Sequence, residues 1–285
     1  MATTQVPFDQ IYAKVDEATV ASLQAFRREH APGSLQVDGI TWHYLALGEG
    51  AEAILFLHGA AGAYDIWWQQ LDALQHGYRL ITVTYPPVSD LQACGEGLVA
   101  ILAEEGVDAV TVVGTSLGGY LAQYLVTRYP DRVKRAVFAN TFAPSERSAR
   151  TYGRLGRFLP FLPESLVMRT LRRSIQGSIY PAAGHSELVR AYLLEQSYGK
   201  MSKAQLVARG KCAVTPFAPA DLVTLGIPVL ILEADNDPLV PEVLREELKA
   251  TYPTAQVRTL HGVGHFSYLN EPQTYTQILQ ASLGE

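Results

Sequence analysis

The chain has 285 residues, of which 48% are hydrophobic and 18% charged, so it can bury a large core. Its formal net charge of −5 gives no reason to expect a nucleic-acid-binding protein. Two cysteines, Cys94 and Cys212, are too few for a disulfide framework or a zinc ribbon. The first residues lack the apolar core of a signal peptide, and no apolar run could span a bilayer. We therefore expect a soluble cytoplasmic protein without a transmembrane segment.

Short apolar runs alternate with helix-length segments along most of the chain. The predicted strands are apolar almost throughout, as in strands that helices cover on both faces: Ala53–Leu57, Arg79–Thr84, Ala109–Val113, Arg135–Asn140, Pro228–Glu233 and Gln256–Leu260. The predicted helices carry an apolar stripe: Tyr64–Leu74, Leu91–Glu105, Leu117–Tyr129, Pro241–Tyr252 and Pro272–Leu283. This alternation predicts an α/β fold with a mostly parallel, doubly wound sheet.

Two segments depart from the alternation. Ser34–Val37 and Thr41–Ala46 flank Asp38-Gly39, a two-residue hairpin signal, so we expect the sheet to begin with an antiparallel pair. Residues 142–222 contain helical segments and prolines but no convincing strand, and they are too many for a connection inside a compact domain. The predicted domains are therefore an α/β core of residues 1–141 and 223–285 and an inserted helical cap of residues 142–222.

The first part of the predicted cap is rich in arginine. Four of its arginines are spaced three, four and three residues apart and would form one stripe on a helix: Arg147, Arg150, Arg154 and Arg157. We interpret the stripe as a solvated face. Attraction of an anionic substrate or of a membrane surface is the functional alternative.

Ser116 lies in the pattern Gly-x-Ser-x-Gly, formed with Gly114 and Gly118, between a predicted strand and a predicted helix. A sharp turn at this place holds a serine in a strained backbone conformation, with its hydroxyl above the sheet edge. The two flanking glycines lack the bulk that would prevent such a turn. The structural alternative is a helix N-cap serine beside packing glycines. The context favours the first interpretation, and we predict Ser116 as a catalytic nucleophile.

A serine nucleophile needs a general base, and the base needs an orienting acid. In strand–turn–helix sites of this kind the chain order is serine, acid, histidine, which excludes the four of the seven histidines that precede Ser116. His185 lies in the predicted cap, and His261 ends the last strand. His265 follows in a glycine-rich loop and is best placed to reach back over the sheet edge. We predict His265 as the base, and the glycines between His261 and His265 argue against a helical metal pair.

The acid is expected in the loop after the strand that ends at Glu233. Asp235 and Asp237 are the two candidates there, and Glu233 itself is a weaker third. Pro238 favours an extended conformation at Asp237, which would project its side chain, so we predict Asp237 as the acid. Asp235 would then be a turn residue that accepts hydrogen bonds from local N–H groups.

An oxyanion hole needs two N–H donors. The N–H of Leu117, directly after the nucleophile, is the first candidate. The second is expected in the small-residue loop His58-Gly59-Ala60, where the backbone can approach a substrate, and we predict the N–H of Ala60. His58, like Gly59, is interpreted as structural support for this loop rather than as a base.

Together these residues resemble the α/β-hydrolase superfamily, capped class, from about residue 39 to residue 283. The family motifs occur in order: His58-Gly59, the turn at Ser116, the acid loop at Asp237, and Gly264-His265. In finer detail the chain looks most like maspardin-type proteins, through Tyr85-Pro86, Cys94-Gly95, Gly114–Gln123, Ala139-Asn140-Thr141-Phe142 and Tyr252-Pro253. Those relatives are often described as binding proteins, and some lack a histidine at the position of His265. This chain keeps that histidine, which favours catalysis.

The motifs and the resemblance imply a serine hydrolase that acts on small-molecule carboxylic esters without a cofactor or a metal. The same three residues could also cleave a C–C bond, a lactone or a thioester, because the fold and the triad do not select the substrate. A non-catalytic, maspardin-like binding protein is the alternative from another class. The oligomeric state cannot be predicted from the sequence.

Overall fold

The computed structural model describes residues 6–156 and 158–284, without the side chains of residues 154–156. Its strands are β1 (Gly33–Val37), β2 (Ile40–Leu47), β3 (Glu52–Leu57), β4 (Tyr78–Thr84), β5 (Val110–Thr115), β6 (Val133–Ala139), β7 (Val229–Ala234) and β8 (Gln256–Leu260). The first α-helices are α1 (Phe8–Tyr12), α2 (Glu17–Glu29), α3 (Trp68–Leu74), α4 (Leu91–Glu104), α5 (Leu117–Arg128), α6 (Glu146–Gly156) and α7 (Glu164–Ser174). They are followed by α8 (Tyr180–Ala182), α9 (Glu187–Glu195), α10 (Lys203–Val214), α11 (Leu222–Leu225), α12 (Glu242–Thr251), α13 (Ser267–Asn270) and α14 (Pro272–Leu283).

The predicted α/β architecture is confirmed. The strands form one sheet in the order β1-β2-β4-β3-β5-β6-β7-β8, and all neighbours from β4 to β8 are parallel. The predicted antiparallel hairpin is present as β1 and β2. Its turn residues Asp38 and Gly39 have φ angles of 50° and 77°, as a tight hairpin turn requires. The main boundary difference is β6, which begins at Val133, two residues before the predicted start.

The strand order determines where a site can form. From β3 the chain passes to β4 on one side, whereas β5, β6, β7 and β8 follow on the other side. Loops that leave the carboxyl ends of β3 and β5 therefore diverge and leave a crevice between them. The turn that contains Ser116 and the loop that begins with His58 leave the sheet at this crevice.

The core occupies both faces of the sheet. One cluster packs α4, α5 and α12 against it, through side chains such as Leu98, Leu121 and Leu244. The other packs α3, α9 and α14 against the opposite face, with Trp68 and Tyr275 fully buried. Burial on both faces explains why the central strands are continuously apolar.

Between β6 and β7 the described residues form helices and no strand, as the sequence predicts for residues 142–222. The division into core and cap stays a prediction. On α6, Arg150 pairs with Glu146 at 2.6 Å and Arg147 lies 3.9 Å from Glu247, which is consistent with a solvated face. Arg157 and the side chain of Arg154 lie outside the described residues. No helix in the described part of the chain is both long and apolar enough to cross a membrane.

A buried cluster of charges joins the N-terminal helices to α9. Arg27 bonds Asp65 at 2.7 Å and Glu195 at 2.9 Å, and the two carboxylates are 4% and 9% exposed. Tyr12 and Tyr192 donate their hydroxyls to Glu195 and Asp65 respectively. Burial alone would raise the pKa of Glu195, but the hydrogen bond and charge of Arg27 lower it further than burial raises it. The cluster therefore stabilises the fold at neutral pH, and its contribution is lost as the pH falls and Glu195 is protonated.

Substitution of Arg27 by methionine tests this cluster. The change leaves the buried Asp65 without its cation and leaves Glu195 with only the more exposed Lys200, at 2.9 Å. We therefore expect the free energy of unfolding to fall by about 3 kcal/mol. Arg150→Met is the matched control, because both members of its ion pair are mostly exposed and its loss should cost less than about 1 kcal/mol. Urea denaturation of both variants measures the difference. Equal losses in the two variants would contradict the predicted role of Arg27.

Candidate active site

Ser116 occupies a strained turn between β5 and α5. Its φ and ψ angles are 55° and −121°, a conformation that non-glycine residues rarely adopt. Two hydrogen bonds hold the turn: the Ser116 N–H donates to the carbonyl of Ala139 at 2.9 Å, and the Thr141 hydroxyl donates to the carbonyl of Ser116 at 2.7 Å. The end of β6 thus supports the strained residue from one side.

The flanking glycines allow the turn to pack closely. A Cβ atom on Gly114 would overlap the carbonyl of Gly118, and a Cβ atom on Gly118 would overlap the carbonyl of Leu57 at the end of β3. A Cβ atom on Gly59 would lie 3.2 Å from the Cβ of Ser116. Small residues at these three positions therefore bring the turn after β5 against the loop after β3.

The loops after β7 and β8 bring Asp237 and His265 together. Their atoms Oδ2 and Nδ1 lie 2.7 Å apart, and the two side chains are 0% and 3% exposed. Asn140 donates a hydrogen bond to the same Asp237 oxygen at 2.9 Å, and the N–H groups of Leu239 and Val240 bind the other oxygen. Burial alone would raise the pKa of Asp237, but its interactions with His265, Asn140 and the Leu239 N–H hold that pKa below its ordinary value.

The contact with Asp237 determines the tautomer of the imidazole. An ionised carboxylate can only accept a hydrogen bond, so Nδ1 of His265 donates to Asp237, and in the neutral ring Nε2 presents a lone pair. In the described residues no hydrogen bond joins His265 to the Ser116 hydroxyl. Such bonds are often long before a substrate binds. The structure therefore brings Asp237 and His265 into direct contact. Ser116 lies at the same edge of the sheet, where Thr141 binds its carbonyl and the adjacent Asn140 binds Asp237.

Asp235 lies in a turn and accepts a hydrogen bond from its neighbour Asn236, as predicted, but its side chain differs from the prediction in also binding a distant loop. Its two carboxylate oxygens bind His261 Nδ1 at 2.8 Å and the Gly262 N–H at 2.9 Å, both in the loop after β8. The parallel pairing of β7 and β8 explains the difference, because it sets the two loops side by side. Glu233 lies in β7 and binds Lys249 and Thr259. Within the described residues, no group of three or more histidine, cysteine or acidic side chains is arranged to hold a metal ion.

His58, in the loop after β3, is buried and neutral. The His58 ring is completely buried, and both burial and the positive charge of Arg209 lower its pKa well below the usual range. Its Nδ1 donates to the carbonyl of Gly59 at 2.6 Å, so the ring supports the loop. The N–H groups of Ala60 and Leu117 have no acceptor among the described residues. Two free donors thus remain at the crevice beside Ser116.

Sequence reasoning missed the part played by Asn140. This residue has a φ of 42°, accepts a hydrogen bond from Ser267 at 3.2 Å and donates one to Asp237. Its position at the end of a predicted strand, next to the strand that leads to Ser116, is a signal that could have identified it. Arg209, whose side chain enters the loop after β3, was also missed, since no local motif marks it.

Curated relatives resemble most of the chain at modest identity. It is 26% identical over 268 residues to the dihydrolipoyllysine-residue acetyltransferase component of the acetoin cleaving system of Cupriavidus necator, with 87% of this chain and 68% of that protein covered. The predicted resemblance to maspardin is confirmed: the Danio rerio protein is 27% identical over 234 residues, with coverages of 79% and 73%. The pimeloyl-[acyl-carrier protein] methyl ester esterase of Nitrosomonas europaea is 25% identical, with coverages of 84% and 98%.

Solved structures share the fold. A hydrolase from Pseudomonas aeruginosa superposes with a TM-score of 0.76 at 21% identity, covering 90% of this chain and 99% of that one. The enol-lactonase of Burkholderia xenovorans gives a TM-score of 0.73 at 16% identity, with coverages of 89% and 100%. Residues 54–278, most of the chain, match the family model described as the alpha/beta hydrolase family. With the sheet order and the strained serine turn described above, this match shows that the chain belongs to the alpha/beta hydrolase family.

Proposed function

We propose that the protein is a serine hydrolase that cleaves carboxylic esters through an acyl-enzyme on Ser116. The observation that carries the proposal is the buried Asp237–His265 pair, joined at 2.7 Å at the sheet edge where Ser116 turns. A histidine oriented by a buried carboxylate beside a strained serine is the arrangement that activates a hydroxyl for attack.

In the first step, His265 Nε2 removes the proton of the Ser116 hydroxyl as the oxygen attacks the ester carbonyl. Asp237 keeps the imidazole in the required tautomer and stabilises the imidazolium that forms. Because the pKa of Asp237 is held below its ordinary value, the carboxylate stays charged at neutral pH. His265 then gives the proton to the departing alkoxide, and the acyl group remains on Ser116.

The tetrahedral intermediate carries a negative charge on the former carbonyl oxygen. The N–H groups of Leu117 and Ala60 are the proposed donors, because both are free among the described residues and flank the crevice. The N-terminus of α5 adds a partial positive charge. Water activated by His265 attacks the acyl-enzyme through a second such intermediate and releases the acid.

Carboxylic esters are the proposed substrate class because their leaving group is an alkoxide. His265 can protonate an alkoxide without a second acid. The 25% identity to a methyl ester esterase supports the choice. Small-molecule esters need no cofactor for this route. The same triad could cleave lactones, thioesters and diketones, and these become the substrates to test if the experiment below finds no ester hydrolysis.

Substitution of Ser116 by alanine tests the nucleophile. We expect hydrolysis of p-nitrophenyl acetate, butyrate and octanoate to fall by at least about 10³-fold, since the acyl-enzyme cannot form. A fluorophosphonate should label the wild-type protein at Ser116 and leave the variant unlabelled, as measured by intact mass. A folded Ser116→Ala protein with full esterase activity would contradict the proposal. Labelling without hydrolysis of any ester would redirect the search to lactones, thioesters and diketones.

Substitution of Asp237 by asparagine tests the acid. The amide keeps the shape of the side chain but favours the wrong tautomer of His265, so kcat should fall by about 10³- to 10⁴-fold. Asp235→Asn is the matched control, because it alters the neighbouring exposed pair with His261 and leaves the buried one intact. We expect kcat of the control to stay within about twofold of wild type. Loss of activity in the control alone would identify Asp235 as the acid instead.

A further inference from the structure

Arg209, on α10, reaches the loop after β3 with a side chain that is 2% exposed. Its Nη1 donates hydrogen bonds to the carbonyls of Ala60 at 2.9 Å and Gly62 at 3.1 Å. Its Nη2 donates to the carbonyl of Tyr85 at 3.1 Å, and its guanidinium carbon lies 5.6 Å from the centre of the Tyr85 ring. A residue of the predicted cap therefore holds backbone beside the nucleophile.

The charge of Arg209 has no partner of opposite sign among the described residues. In the part of the chain that the structure describes, no carboxylate forms an ion pair with Arg209, and its Nε lacks an acceptor. The buried Arg27, in contrast, is bonded to two carboxylates. Burial lowers the pKa of Arg209 to about 10, which leaves the group protonated at neutral pH. A buried, unpaired cation is costly, so its presence beside the candidate active site needs an explanation.

The hydrogen bonds of the loop indicate what Arg209 does. The carbonyl of His58 accepts from the Tyr85 hydroxyl at 3.1 Å, and the carbonyl of Gly59 accepts from His58 Nδ1 and from the Gly62 N–H. Arg209 donates hydrogen bonds to the next carbonyl along the loop, that of Ala60, and to the carbonyl of Gly62. These bonds fix the peptide planes on both sides of Ala60, while its own N–H has no acceptor among the described residues.

We propose that Arg209 is a positioning residue for oxyanion stabilisation. It holds the Ala60 N–H in place through the adjacent carbonyls, and it sets an unpaired positive charge near the oxygen that becomes negative in the transition state. Preorganised donors and charges in a site that excludes water stabilise such an oxygen much more than they would in solvent. This inference rests on the proposed ester hydrolysis at Ser116.

The location of Arg209 on α10 makes the position of the loop after β3 depend on the docking of that helix. The loop after β3 is held by a residue of α10, in the segment between β6 and β7. The oxyanion hole is therefore complete only while α10 is docked against the loop. A substrate that displaces α10 would bind without being turned over efficiently, so the same contact links the fit of the substrate to the rate of the chemical step.

The experiment compares Arg209→Met, Arg209→Lys and wild type on p-nitrophenyl butyrate, with an alkyl trifluoromethyl ketone as inhibitor. The ketone forms a tetrahedral adduct whose oxyanion occupies the same hole. For Arg209→Met we expect kcat to fall about 10- to 100-fold with KM within about threefold, because the lost interaction acts in the transition state. The inhibition constant of the ketone should rise by the factor by which kcat/KM falls. Arg209→Lys should recover part of both losses, since it keeps the charge.

Arg132→Met is the matched control. Arg132 also donates to a backbone carbonyl, that of Val107 at 2.7 Å, and its buried Nε likewise lacks an acceptor in the described structure. It follows α5 at the other end of that helix from Ser116. Its substitution should leave kcat, KM and the inhibition constant at wild-type values, which separates a local effect from general loosening of the fold.

The outcomes distinguish the two proposals. If the wild type is active and a folded Arg209→Met variant keeps the wild-type kcat and inhibition constant, the role of Arg209 is overturned and the proposed function stands. If Arg209→Met does not fold, Arg209→Lys decides: wild-type kcat and inhibition overturn the inference, and a lower kcat at constant KM supports it. A wild type without Ser116-dependent hydrolysis would overturn the proposed function and this inference with it.

Discussion

The close contact between the Ser116 turn and the end of β3 constrains the rest of the site. Gly118 packs against the carbonyl of Leu57, and Gly59 lies against Ser116. The turn after β5 and the loop after β3 are therefore in contact where they leave the sheet. A Cβ atom on Gly118 would overlap the backbone at the end of β3, and a Cβ atom on Gly59 would require a small shift of Ser116. β3 and β5 are neighbours in parallel register, so both loops leave the same edge of the sheet as the loops after β6, β7 and β8. The strain at Ser116 persists because the surrounding packing determines its backbone.

The electrostatics of the site combine one paired buried charge with one unpaired buried charge. Asp237 is buried, but both of its carboxylate oxygens accept hydrogen bonds, so its pKa stays below the ordinary value. Its negative charge lies against the imidazole of His265. Arg209 is buried without an acidic partner among the described residues. Burial and the charge of Arg209 together lower the pKa of His58, which keeps that ring neutral. His58 can then act as a fixed hydrogen-bond donor to Gly59. The positive charge thus lies against the loop after β3, and the negative charge lies against His265 in the loop after β8.

The helical segment between β6 and β7 is fastened to the rest of the chain by buried polar contacts as well as by apolar packing. Glu195 and Tyr192 on α9 bind Arg27 and Asp65, and Arg209 on α10 binds the loop after β3. On the same helix, Cys212 lies with its sulfur 3.7 Å from that of Cys94, and both are free thiols. Polar groups buried in this way must be satisfied together, so they specify one docking position more strictly than an apolar surface would.

Features that depend on neighbours in the chain could be predicted from the sequence alone. The sequence determined the order of strands and helices, the hairpin at Asp38-Gly39 and the glycines around Ser116, because periodicity and turn sterics are local properties. It also indicated Asp237 over Asp235 through the adjacent proline. Only the tertiary structure decided that Asn140 bridges to Asp237, that Asp235 binds the loop after β8, and that Arg209 holds the carbonyls of Ala60 and Gly62. These contacts join residues 97, 27 and about 150 positions apart, and their geometry arises from strand register and helix docking, which leave no pattern in the residues nearby.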